Sequence, residues 1–274
     1  DSSRAFFEIP TDITIDRDGT LLVTDPQMDL PVVTRYDRIG VPLDHYRHLE
    51  YASSQYDQPY ATTVGPNSII YVVDRYANRV QRFSSTWTLI DSWGTGGTGP
   101  GQFTSPQDIA VDADGNVYVV DTGNNRVQKF DANGVFLDAW GGIGNGNGQL
   151  NNPAGITVDG ERVYVTDNAN HRVQVFNRSG DYLDQWGQQG SGDDDLDGPI
   201  GIATDADGNV FVVDNGNDRV QIFTSSGEPI GRFGSQGTDA GEFDGPFAIA
   251  IDTDGNAYVS DIGNHRIQKF ERQP

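Results

Sequence analysis

Short apolar runs alternate with polar turns from one end of the chain to the other. Between residues 106 and 140 four of them stand out: DIAVD (108–112), NVYVVD (116–121), RVQKF (126–130) and VFLDAW (135–140). Each is rich in β-branched and aromatic residues and bounded by Gly, Asn and Asp, which reads as strand. DADGN joins the first two as a tight hairpin in which Gly115 supplies positive φ, and DANG joins the last two. DRDG at 16, DADG at 205 and DTDG at 252 repeat the first hairpin. No segment sustains a helical period.

The pattern recurs. Asp74, Asp121, Asp167, Asp214 and Asp261 stand 47, 46, 47 and 47 residues apart. Pro59, Pro106, Pro153, Pro199 and Pro246 keep the same register, and a weaker copy runs from Pro10 to Asp25. A period of this size indicates a solenoid or a propeller. Six units of four short antiparallel strands predict an all-β fold, a six-bladed β-propeller spanning residues 1–274 as one domain. The repeats fall at about 7–58, 59–105, 106–152, 153–198, 199–245 and 246–274. One blade is too small to be stable alone, so packing between blades must bury the Ile, Val, Tyr and Phe of each sheet.

The sixth unit supplies three strands and stops at ERQP. Phe7 matches Phe103 and Phe243, three residues before the repeat Pro, which leaves only DSSRAF to close the ring. Either residues 2–6 form a stunted fourth strand, or blade six presents RIQKF as an open edge that invites strand donation by another chain.

Composition narrows the function. The 274 residues hold 40 acidic and 18 basic side chains, a net charge of -22, and no cysteine. Disulfides, thiolate metal sites and Cys nucleophiles are excluded. A surface this negative opposes nucleic acid and anionic lipid, and no apolar run is long enough for membrane insertion. The acid is nearly all Asp and the only lysines are Lys129 and Lys269, as in proteins of high-salt environments, where salt screens self-repulsion. The chain begins at Asp1 rather than Met and reads as a processed or trimmed product. An extracytoplasmic or secreted location is favoured, with the cytoplasm of a halophile as the alternative.

The pattern P-x-x-I-A-V-D-x-D-G-N-V-Y-V-x-D-x-x-N-x-R-V-Q-x-F resembles the NHL-repeat family of propellers from about Pro10 to Phe270. The match is strong in units three to six, good in unit two and poor in unit one. The resemblance implies the fold. The family includes RNA-binding domains, sensor domains, scaffolds and a few enzymes, so it does not imply an activity.

The repeated pairs Asp74/Arg79, Asp121/Arg126, Asp167/Arg172, Asp214/Arg219 and Asp261/Arg266 recur too regularly for a ligand site, which normally breaks symmetry. They read as structural: Asp accepts backbone N–H groups of the following turn, and Arg pairs with a carboxylate of the same or a neighbouring blade. Trp93, Trp140, Trp186 and Phe233 read as core. The DxDG turns lead straight into apolar strands and lack the further ligands of a calcium loop.

Function is sought where the repeat fails, in unit one. PQMDLPVVTRYD follows Asp25 and lacks the N-x-R turn, and Tyr46 replaces the Trp of the fourth strand. The next loop, RHLEYASSQYDQPY, carries His48, Tyr51, Tyr56 and Tyr60. It belongs on the same propeller face as the turn RYAN with Arg75 and Tyr76. Together they are the candidate ligand site, an aromatic and polar patch suited to a protein or glycan partner.

Some related propellers resemble this chain but act as amidating lyases with His-bound zinc. The matching inner-strand positions here hold Thr11, Tyr60, Gln107, Ala154, Ile200 and Phe247, which argues against such a site. Lactonase-type propellers hold calcium at the central mouth, where this chain offers only Asp12 and Asp108. No phosphate loop, nucleophile elbow or catalytic triad is visible. The expected function is therefore a noncatalytic binding or scaffolding module with no catalytic residue and no cofactor. The alternative is a metal-dependent hydrolase or lyase with Ca2+ or another divalent ion in the central channel.

Overall fold

The computed structural model describes residues 7–26, 32–47 and 58–272. Six antiparallel sheets follow one another around a central channel, each built from consecutive strands. Blade one comprises Asp12–Ile15, Leu21–Asp25, Val32–Tyr36 and Pro42–Arg47, and blade two comprises Pro59–Val64, Ile70–Asp74, Arg79–Phe83 and Leu89–Trp93. Blade three runs through Asp108–Val111, Val117–Asp121, Arg126–Phe130 and Phe136–Gly141, and blade four through Pro153–Asp159, Arg162–Asp167, Arg172–Asn177 and Tyr182–Trp186. Blade five holds Pro199–Thr204, Val210–Asp214, Arg219–Phe223 and Pro229–Phe233. Blade six holds Pro246–Ile251, Ala257–Asp261 and Arg266–Phe270. The only helical pieces among the described residues are single 3-10 turns such as Thr122–Asn124 and Asn168–Asn170.

The sequence of the second strands explains their place. VYVV and VFVV do not alternate, because both faces of the strand are covered by neighbouring blades, and Val117–Asp121 is buried at every residue. The core is therefore a set of inter-blade clusters. Tyr71 and Val73 of blade two meet Ile109, Val119 and Phe130 of blade three, for example.

The fourth-strand aromatics extend this packing in one direction around the ring. Trp93, Trp140 and Trp186 lie 5.8, 5.9 and 5.8 Å from Phe130, Phe176 and Phe223 on the third strand of the next blade. Phe233 lies 4.4 Å from Phe270 in the same way. These aromatics are half-buried rather than enclosed, and the indole N–H groups of the three Trp have no partner. They act through ring area. The following blade accommodates them with glycine: a Cβ on Gly134, at φ +78, would stand 2.6 Å from the Trp93 ring.

The ring is shut by packing between blades six and one. Ile13, Leu21, Val23 and Tyr36 form one cluster with Ala250 and Tyr258, and Phe7 packs against it, 5.6 Å from Tyr36. Blade six has three strands among the described residues, and residues 2–6, the anticipated closing strand, lie outside them. In the third strand of blade six Phe270 is half-buried, where Phe130, Phe176 and Phe223 are buried.

Candidate functional site

The repeated Asp and Arg form one lattice per blade. The Asp121 carboxylate receives Arg126 Nε at 2.8 Å, Gln128 Nε2 at 3.0 Å and the backbone N–H of Thr104 at 2.8 Å. Arg126 Nη2 then donates to the carbonyls of Gly99 and Gln102. The same set recurs at Asp167/Arg172, Asp214/Arg219 and Asp261/Arg266, and Asp74 pairs with Arg79 at 3.1 Å. One detail differs from the sequence reading. Most backbone donors to these carboxylates come from the loop about 17 residues upstream, as Asp197 and Asp244 show, while Ala77 in the turn after Asp74 follows the expected pattern. The lattice fixes each Gly-rich loop to the blade it enters.

The residue before each Arg explains two histidines. Asn78, Asn125, His171, Asp218 and His265 all have left-handed φ, between 50° and 55°. Asn125 Oδ1 accepts the N–H of Asn152 in the next blade's entry, Asp218 Oδ1 that of Gly245, and His171 Nδ1 that of Gly198. His265 Nδ1 lies 2.6 Å from the Glu8 carbonyl oxygen, across the junction of blades six and one. Any side chain with a polar atom two or three bonds from Cβ can serve as this latch. The DxDG carboxylates are consumed locally too: Asp112 Oδ1 accepts the N–H groups of Asp114 and Asn116.

The channel is where the blades differ. The inner strands of all six line a cavity of about 230 Å³. Asp12 and Asp108 both enter it, from blades one and three. Asp12 Oδ2 accepts the Thr62 N–H at 2.6 Å and the Thr62 hydroxyl at 3.1 Å. Asp108 Oδ2 accepts the Ile156 N–H at 2.7 Å, and its Oδ1 that of Ile109. Each carboxylate thus bridges to the following blade. At the same position blades four and five have Gly155 and Gly201, and a Cβ on Gly201 would stand 2.6 Å from the Phe247 carbonyl oxygen. Close backbone approach replaces the Asp bridge there.

Burial pushes the Asp12 carboxyl up to about 7. Burial, and then the charge of Asp12, hold Asp108 well above the usual carboxylate range. The two acids therefore sense each other across the channel, and the pair favours carrying a proton over holding two charges.

At the mouth Tyr60 is the second residue of the inner strand of blade two. Arg75 stands over its ring at 4.5 Å, and Phe247 of blade six meets it edge-on at 6.1 Å. Burial raises the Tyr60 phenol, with Arg75 opposing. Thr11, Gln107, Ala154 and Ile200 complete the rim. Tyr76 is 66% exposed beside this turn. His48, Tyr51 and Tyr56 lie outside the described residues. Tyr46 is on the outer strand of blade one, in register with Val33. Of the aromatic patch read from sequence, the structure joins Tyr60 to Arg75. It adds Phe247 and Thr62, which sequence reasoning did not single out as site residues. Thr62 was detectable: the other units have Ile13, Ile109, Ile156, Ile202 and Ile249 at its position.

The fold and this channel define a six-bladed β-propeller. The NHL repeat matches residues 103–130, 150–176, 196–223 and 243–270. The chain is an NHL-repeat propeller. No curated protein matches the sequence. Among solved structures, a streptogramin B lyase is similar at 17% identity and a TM-score of 0.69, covering 98% of this chain and 85% of that one. Virginiamycin B lyase from Staphylococcus aureus is similar at 16% identity and a TM-score of 0.66, covering 97% and 85%. An auxiliary nutrient binding protein from Bacteroides ovatus is similar at 16% identity and a TM-score of 0.69, covering 96% and 69%. At these identities the likeness concerns the fold. Among the described residues no helix is long and apolar enough to cross a membrane, and no three His, Asp or Glu side chains gather as metal ligands.

Proposed function

We propose that this propeller is a noncatalytic binding module that takes a protein or glycan ligand on the loop face around the channel mouth. One observation carries the reading: Tyr60, with Arg75 stacked on it and Phe247 edge-on, forms an aromatic and cationic rim where the repeat otherwise supplies Thr11, Gln107, Ala154 and Ile200. Aromatic area with a planar hydrogen-bonding group is the usual equipment of a sugar or peptide site. The binding function requires no cofactor. We further propose a location outside the cytoplasm or at high salt, supported by the charge of -22. The third strand of blade six is a second contact point, where a partner strand would extend the sheet.

A metal-dependent hydrolase or lyase at the central mouth is the competing reading, favoured by the convergence of Asp12 and Asp108. Their donor set fits a hard divalent ion poorly. Calcium takes six to eight oxygens, whereas these two carboxylates already accept backbone N–H groups.

The test is a glycan and peptide array probed with the wild-type protein, Tyr60→Ala and Arg75→Ala. Ligands bound by the wild type are expected to lose at least about tenfold in affinity in Tyr60→Ala, the scale of a central aromatic anchor. Ligands held equally by both variants would place the site elsewhere. Metal content after dialysis, with melting in the presence and absence of chelator, separates the alternative: a stoichiometric ion that stabilises the fold would favour the enzyme.

A further inference from the structure

Building on the reading of blade six as a point of strand addition, we propose that its third strand captures an extended peptide of a partner protein with the pattern apolar–Asp–x–Trp. The Trp would sit over Gly40, between Tyr36 and Tyr258, and the Asp would stand opposite Lys269.

The seat is visible by comparison with the other blades. Trp93 meets three walls: Tyr71 of its own blade at 6.2 Å, Phe130 of the next blade at 5.8 Å, and Gly134 in the next blade's outer hairpin, where a Cβ would stand 2.6 Å from the ring. Trp140 has Tyr118, Phe176 and Gly180, and Trp186 has Tyr164, Phe223 and Gly227. The junction of blades six and one carries the same walls in Tyr258, Tyr36 and Gly40, with Gly40 four residues after Tyr36 as Gly134 is four after Phe130. Gly40 has φ +84, close to the +78, +80 and +84 of its counterparts, yet nothing lies within 4 Å of a Cβ placed there. Among the described residues no aromatic of blade six fills this seat.

The ladder states what would pair beside it. Blade six has three strands among the described residues, and Ile267 and Gln268 are half-buried where Val127 and Gln128 are buried. In blades one to five the fourth-strand aromatic stands opposite the second residue of the third strand, as Trp140 stands opposite Val127. Ile267 is that residue in blade six. Two residues further along, each cation faces an aspartate: Arg35 faces Asp44, Arg82 faces Asp91 and Lys129 faces Asp138. Lys269 holds this position in blade six and lies over Tyr258 at 5.6 Å, as Lys129 lies over Tyr118 at 5.3 Å. Opposite charges across a ladder stabilise the pair, so Lys269 selects an acid.

The chain's own segments do not supply this strand. Trp93, Trp140, Trp186 and Phe233 each stand ten residues before Phe103, Leu150, Leu196 and Phe243. Phe7 is the counterpart of those anchors, so residues 1–6 correspond in sequence to the Gly-rich connection and not to the fourth strand. A second copy has none to spare, because LIDSW, FLDAW and YLDQW are each already the fourth strand of a blade. A partner's peptide would gain main-chain bonds from the edge and its selection from the seat and Lys269.

The experiment is fluorescence anisotropy of fluorescein-labelled GVFLDAWG, the fourth-strand segment of blade three, titrated with the full chain. It is run in about 0.15 M NaCl, where long-range repulsion from the acidic surface is screened. One peptide should bind per chain and slow amide exchange over residues 266–270. Replacing the peptide's Trp by Ala should weaken binding at least about tenfold, the scale of a central aromatic anchor. Replacing its Asp by Lys should weaken it about threefold or more, the scale of an exposed ion pair. Lys269→Glu should cost a similar factor with the original peptide and recover binding with the Lys peptide. Gly40→Trp should block the seat; Trp87 holds the equivalent position of blade two at φ 60, so the backbone accepts the residue. No binding up to about 1 mM protein would overturn the proposal, as would equal binding of the Trp→Ala peptide or binding unchanged by Gly40→Trp and Lys269→Glu. Binding that appears only after residues 1–6 are deleted would make the chain's own N-terminus the occupant and also overturn it. Tyr60→Ala should leave peptide binding unchanged. Array ligands that depend on Tyr60, with no peptide binding, would refute the blade-six inference and leave the loop-face function standing.

Discussion

Replacing Asp12 by Asn should make the protein more stable at neutral pH, and the gain should vanish in acid. Burial lifts the Asp12 carboxyl from an ordinary 3.8 to about 7. Each unit is about 1.36 kcal/mol, so a shift of roughly three units corresponds to about 4 kcal/mol. The folded-state value is raised, so the favourable contribution is complete below about pH 4 and is lost as the pH rises through 7. Asn keeps a carbonyl oxygen for the Thr62 N–H now bound by Asp12 Oδ2 at 2.6 Å, and it cannot ionise. It also removes the charge that raises Asp108, which acts in the same direction. The assay is urea denaturation of both proteins at about pH 4, 6 and 8. The quantity of interest is the difference between variant and wild type, because the other carboxylates then cancel. That difference should grow with pH by on the order of 4 kcal/mol. Two curves that stay parallel within about 1 kcal/mol would show that Asp12 is ionised at no cost, and the reasoning about an unpaired buried acid would fail.

Two further outcomes test the framework of the blades. Asp121→Ala leaves the Arg126 guanidinium, Gln128 and the Thr104 N–H without their common acceptor and should cost about 3–5 kcal/mol in chemical denaturation. Gly134→Ala and Gly40→Ala place the same methyl at φ +78 and φ +84, but only the first meets a neighbour, the Trp93 ring, while nothing lies within 4 Å of the second. Both should lose about 1–2 kcal/mol to backbone strain, and Gly134→Ala should melt several degrees lower again because the inter-blade stack must shift.

The amino-acid sequence by itself determined the repeat, and with it the propeller. A period of 46 to 47 residues, Asp and Pro in fixed phase and Gly at hairpin positions are local signals, because each blade is a local unit of consecutive strands. Phe7 could be matched to Phe103 and Phe243 for the same reason. The short parallel pairs inside the Gly-rich loops, such as Gln102 with Thr95, were not legible: the recurring Phe103, Leu150, Leu196 and Phe243 mark one side of them, but the Gly-rich partner side carries no apolar pattern. Nor was the use of Trp93, Trp140 and Trp186 as half-exposed links to the next blade, because a core aromatic and a linking aromatic look alike in one dimension. The channel depended most on tertiary structure. Asp12 and Asp108 are separated by two blade positions and 96 residues. Only the arrangement of the blades around the channel brings them within range of each other and strips their water. Burial and mutual charge are properties of that arrangement rather than of either residue, so the acid pair exists as chemistry only once the six blades have closed around it.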